Sequence, residues 1–155
     1  MDNITVEKFM KKRILFITPS IYPQRIGGIE IFNHYLAQEL GKDYDVSLLN
    51  VDYNSSKVKL KNVTRKTIRN TSQFFQLLQI IFYLIKERKS YDLVWTSFAY
   101  TSWYYIIIYP FINIIFAKSY LIVIHGGGLM PWKWKFPYKL YFSRAKSIVG
   151  VSESI

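Results

Sequence analysis

The chain has 155 residues, enough for one domain with a single core, and half of them are hydrophobic and 18% aromatic, which excludes a disordered polymer. With no cysteine and two histidines, disulfide scaffolds and cysteine-based zinc sites are excluded, and no metal is expected. The formal net charge of +11 implies affinity for something acidic: nucleic acid, an anionic lipid surface or a phosphorylated substrate.

Residues 1–12 are polar and mixed in charge and are read as an N-terminal extension. They lack the apolar stretch and small-residue cleavage site of a signal peptide, so a cytoplasmic chain is expected. Residues 13–155 form the folded domain in this reading. Arg13 to Pro19 is a short apolar run bounded by charge and proline, the pattern of a strand buried on both faces. A loop follows to Gly28, with Gly27 and Gly28 opening a helix. On that helix Ile29, Phe32, Leu36, Ala37 and Leu40 make one apolar stripe, and Gly41 stands where a C-terminal cap belongs.

Val46 to Val51 is predicted as a second strand. Lys57 to Ile68 alternates basic and apolar residues, as in an edge strand whose lysines discourage further pairing. Thr71 or Ser72 caps a helix running to about Lys89, and Leu93 to Ser97 makes another buried strand. From Leu93 to Ala117 no residue is charged, long enough to raise a membrane span. Pro110 and the cluster Thr96, Ser97, Thr101 and Ser102 break it into a strand and a helix that is buried or rests on a membrane. A strand before His125, a short helix over 135–142 and a strand over 147–151 complete the alternation. That alternation predicts an α/β fold: a doubly wound, mostly parallel, Rossmann-like sheet.

Ligands of such sheets sit at the carboxyl ends of the strands. Three connections reach that edge in this reading: Gly27-Gly28, the turn after Thr96-Ser97, and His125 to Gly128. Glycines that open a helix let backbone N–H groups approach an anion, and the helix start adds about half a positive charge, so Gly27-Gly28 is a candidate phosphate loop. Neither a Gly-x-Gly-x-x-Gly nor a Walker A pattern is present. Glu30 falls in the first turn, where the helix dipole favours a carboxylate, and His34 reads as structural or exposed. His125, at the end of an apolar strand and followed by three glycines, is the candidate ligand contact.

His125-Gly-Gly-Gly also resembles an esterase oxyanion loop, with Gly150 to Ser154 near a nucleophile elbow. No histidine follows Ser152 to act as its base, which excludes the hydrolase. Trp132 to Phe142 interleaves aromatic and basic residues, a mixture suited to a membrane interface or to single-stranded nucleic acid.

Lys12 to Pro23 with Ile26-Gly-Gly-Ile-Glu30, then Tyr91-Asp-Leu-Val, Ile124-His-Gly and Ala145 to Glu153, resembles the N-terminal domain of family 4 glycosyltransferases of the GT-B fold. The resemblance implies a retaining, metal-free transfer from a nucleotide-sugar donor to a glycan or lipid-linked acceptor, in cell-surface polysaccharide synthesis. By position, His125 resembles the catalytic-centre histidine, and Gly27, Gly28 and Gly126 the donor and phosphate side. The family's C-terminal donor domain would be absent, leaving an inactive half or one subunit of a split enzyme, with peripheral contact at the inner face of the cell membrane. No cofactor besides the donor co-substrate is implied, and nucleic acid is not expected as a partner. The alternative from another class is a non-enzymatic basic module for membrane surfaces or nucleic acid.

Overall fold

A computed structural model describes residues 11–18, 21–23, 26–50, 60–68, 72–98, 111–112, 115–116, 120–124 and 138–150. Six strands lie in one sheet: β1 (Arg13–Thr18), β2 (Asp45–Asn50), β3 (Val63–Thr67), β4 (Leu93–Phe98), β5 (Tyr120–Ile124) and β6 (Ser147–Gly150). Their order across the sheet is β3-β2-β1-β4-β5-β6, and every neighbouring pair is parallel. Parallel neighbours need crossovers, and these carry α1 (Gly28–Asp43), α2 (Gln73–Glu87) and α3 (Tyr138–Arg144). The predicted α/β, Rossmann-like class therefore holds, with an all-parallel sheet in place of a mostly parallel one.

Alternation along the strands divides the core between the two faces of the sheet. Ile14, Phe16, Val46 and Leu48 point to α1 and pack with Ala37, Ile21 and Leu60. Leu15, Ile17, Leu49 and Val94 point the other way, to Leu77, Ile80 and Leu84 of α2 and to Ile112 and Phe116. Both faces of the central strands are thus covered, which is why β1 reads as an unbroken apolar run and β2 as one interrupted only by the buried Ser47.

The structure corrects several local expectations. The sheet-facing line of α1 is Asn33, Ala37 and Gly41, one turn apart, while Leu36 and Leu40 flank it and Phe32 is exposed. Small residues face the strands because the helix lies close to the sheet there. Gly41 does not end the helix: α1 runs on to Asp43, with Tyr44 as C-cap. A Cβ on Gly41 would stand 2.5 Å from the carbonyl oxygen of Asn62, whose own φ of 61° turns the chain into β3. The edge strand spans Val63–Thr67, and Lys57 to Lys59 lie outside the described residues. Much of the uncharged stretch also lies outside them; Phe111, Ile112 and Ile115 are helical, and Ile112 is buried. Among the described residues no helix is long and apolar enough to cross a membrane.

At the amino ends of the strands a set of main-chain and side-chain contacts locks β1 to its neighbours. The Arg13 N–H donates to Asp92 Oδ2 at 2.8 Å, and the Asp92 N–H returns a bond to the Arg13 carbonyl at 2.9 Å. The Arg13 guanidinium lies 5.3 Å from the centre of the Tyr91 ring, and Tyr91 shares a 2.7 Å hydroxyl contact with Tyr83 of α2. Tyr91-Asp92 is therefore a structural clamp at the edge opposite the expected ligand site.

Candidate functional site

In this strand order the crossovers from β1 and from β4 depart in opposite directions, so the switch point of the sheet lies between the carboxyl ends of those two strands. Pairing of β1 with β4 is last recorded at Ile17 and Thr96. One residue further, Thr18 and Ser97 are bridged by a side chain: Asn33 Nδ2 donates to Thr18 Oγ1 at 2.9 Å and to Ser97 Oγ at 3.1 Å. All three residues are fully buried, and the Asn33 Oδ1 has no hydrogen-bond partner among the described residues. Thr96 Oγ1 donates to the Leu121 carbonyl at 2.9 Å and so ties β4 to β5 beside the crevice. Asn50, also buried, ends β2 on the same edge.

This concentration of buried polar groups is the part of the site that motif reading misses. Its signal is nevertheless present: strands that are otherwise apolar end in Thr18, Asn50 and Thr96-Ser97, and Asn33 interrupts a helix face that otherwise packs inward. Buried polar side chains are costly unless bonded, and here they collect where strands leave the core.

The start of α1 lies at the same carboxyl edge. Gly27 is its N-cap and offers no side-chain oxygen to the first free N–H groups. Glu30 compensates by folding back: a Cβ on Gly27 would run into its carboxylate. The helix start thus already has an anionic group over it, as the dipole favours. Gly28 differs, since a Cβ there meets nothing within 4 Å. The loop leading in is held by Ile21, which is buried in the α1-side core, and by His34. His34 Nδ1 donates to the Tyr22 carbonyl at 3.0 Å, while its Nε2 accepts from the Gln38 amide at 2.6 Å. Both ring nitrogens are occupied within the fold, which fits the structural role expected for His34.

Of the predicted site residues, Gly27 and Gly28 therefore reach the carboxyl edge as expected. His125 and Gly126 lie outside the described residues; the strand before them, β5, ends at Ile124 on that edge. The patch from Trp132 to Pro137 and the sequence from Val151 to Ser154 are likewise outside them. Among the described residues no group of three His, Asp or Glu side chains could hold a metal ion.

No family model matches the chain, and no curated protein does. The chain is similar to the crystal structure of a candidate epimerase from Bacteroides thetaiotaomicron, at 17% identity and a TM-score of 0.43, over 73% of this chain and 47% of that one. The match thus spans about half of that protein, and at this identity and score it assigns neither activity nor substrate here. The family 4 glycosyltransferase resemblance is corrected on the first of these findings: no family model, that family's included, matches the chain. The GT-B half-architecture, the sugar transfer and the polysaccharide role fall with it. The non-enzymatic basic module gains no support from the same comparisons. Part of the resemblance also has a structural explanation, because Tyr91-Asp92 clamps the amino edge and Ser147–Gly150 is an edge strand.

Proposed function

We propose that this domain binds a phosphate-bearing small molecule, with a nucleotide as the chemical class, in the crevice between the carboxyl ends of β1 and β4. Gly27 and Gly28 bring backbone N–H groups to the phosphate, and the ligand displaces the Glu30 carboxylate from the helix start. His125, next in the chain after β5, contacts the same ligand in this reading. The observation that supports it is the coincidence of two features at one edge: the switch point, and an N-terminus opened by two glycines.

Gly28→Val tests it, because the added side chain starts in open space and so spares the fold while obstructing the approach of a phosphate. Titration calorimetry with nucleoside diphosphates and with pyrophosphate should give saturable binding that Gly28→Val weakens about tenfold or more, at an unchanged melting temperature. Absence of binding by every probe, or an affinity indifferent to the substitution, would remove the proposal.

A further inference from the structure

We infer that the outer face of α2 docks on an anionic lipid surface. α2 is apolar on both sides. Leu77, Ile80 and Leu84 enter the core, yet Phe74, Phe75, Leu78, Phe82 and Ile85 are exposed, Phe82 to 69% and Phe74 to 58%. At about 100° per residue these five, with Gln79 and Lys86, share one arc of roughly 140°. Phe74 and Phe75 meet edge to face, with centroids 5.8 Å apart, and form an aromatic pad at the start of the helix. Single exposed apolar residues are ordinary, but five on one helical arc mark a surface that meets a partner.

Charge selects the partner. The arc holds no carboxylate; Glu87, the one acidic residue of α2, lies off it and is half-buried. Lys86, Arg88 and Lys89 are exposed at its carboxyl end. A second copy would bring another +11 against this one, so self-association over this face works against the net charge. Nucleic acid would require polar and basic groups where five apolar side chains stand. A lipid interface accepts both parts, with phenyl and aliphatic groups entering the acyl boundary and the ammonium and guanidinium groups meeting anionic headgroups. With 15 residues α2 is roughly 22 Å long, short of a hydrocarbon core of about 30 Å, so it lies in the plane of the surface. This inference is independent of the ligand crevice and uses none of its residues.

Flotation of the full chain with vesicles of phosphatidylcholine alone, and of phosphatidylcholine mixed with phosphatidylglycerol, tests it. Binding should require the anionic lipid and weaken with salt, and Phe75→Ser/Phe82→Ser should lose it by about tenfold or more with an unchanged circular dichroism spectrum and melting temperature. Lys86→Glu/Lys89→Glu should weaken it as well, while leaving the apolar arc intact. Retained lipid binding in Phe75→Ser/Phe82→Ser would put the contact elsewhere on the chain and overturn the inference. So would failure of the native chain to bind anionic vesicles, or self-association by sedimentation velocity that the same substitution abolishes.

Discussion

Asn33 and Ser97, 64 residues apart in the chain, meet at 3.1 Å across the switch point, where the pairing of β1 with β4 has just ended. One amide group therefore ties α1 to the carboxyl ends of both strands. Asn33→Ala removes that donor from both Thr18 and Ser97 and leaves a small void under α1. A loss of about 1–3 kcal/mol in unfolding free energy is expected, read from urea denaturation, because two buried bonds disappear together. A loss under about 0.5 kcal/mol would show that the bridge is incidental.

Gly41 and Asn62 give a prediction whose sign opposes helix propensity. Glycine to alanine inside a helix usually gains up to about 1 kcal/mol. Here the new methyl group meets the backbone carbonyl of Asn62, which cannot rotate away as a side chain can. Gly41→Ala should therefore destabilise the fold, by about 1–3 kcal/mol. A raised melting temperature would mean that α1 shifts off β3 without cost.

Glu30 lies over the start of α1 in the place a phosphate would take. Removing its charge while keeping its size should favour an incoming anion. Glu30→Gln is expected to tighten binding of nucleoside diphosphates by a factor on the order of three to ten, since the competing unit charge is lost at short range in a partly solvated site. The effect should shrink at high salt. Weaker binding in Glu30→Gln would instead make the carboxylate a ligand contact, for instance to ribose hydroxyls.

Two phenols packed in or against the core, Tyr120 and Tyr83, set an alkaline limit. Burial pushes Tyr120 up to about 12, against the lowering influence of Arg144. Tyr83 is raised further, by burial first and then by its hydrogen bond with Tyr91. In the unfolded chain both phenols ionise near 10, so above that pH the unfolded state sheds protons that the folded state keeps. Stability is full below about pH 10 and falls as pH rises toward 12, by up to about 1.4 kcal/mol per pH unit for each such group. Urea midpoints at about pH 9 and about pH 11 should differ less in Tyr120→Phe than in the native chain, and an equal drop in both would rule out Tyr120 as a source.

Some of this is legible along the chain and some is not. Strands β1, β2 and β4 announce themselves as short apolar runs with charged or polar ends, and glycine, helix and strand follow in the cadence of a parallel sheet. The absence of cysteine and the two glycines at the start of α1 are also plain in the letters. These features depend on neighbours within a turn or a strand, where periodicity carries the information.

The rest depends on residues that meet only after the chain has folded. Periodicity finds an apolar stripe on α1, but the line that faces the sheet is Asn33, Ala37 and Gly41, because contact distance to the strands selects small side chains over large ones. Tyr91-Asp92 reads as a motif and proves to be a clamp on Arg13, since its partner lies 79 positions away for the Arg13–Asp92 bond. α2 reads as a helix from Thr71 or Ser72 to about Lys89 and shows two apolar faces, of which the sheet can cover one. By itself the sequence determined which segments become strands and helices, and hence the doubly wound class. Only the tertiary structure decided which polar groups converge at the switch point, because burial makes their hydrogen bonds obligatory and only the packed sheet brings the partners within reach.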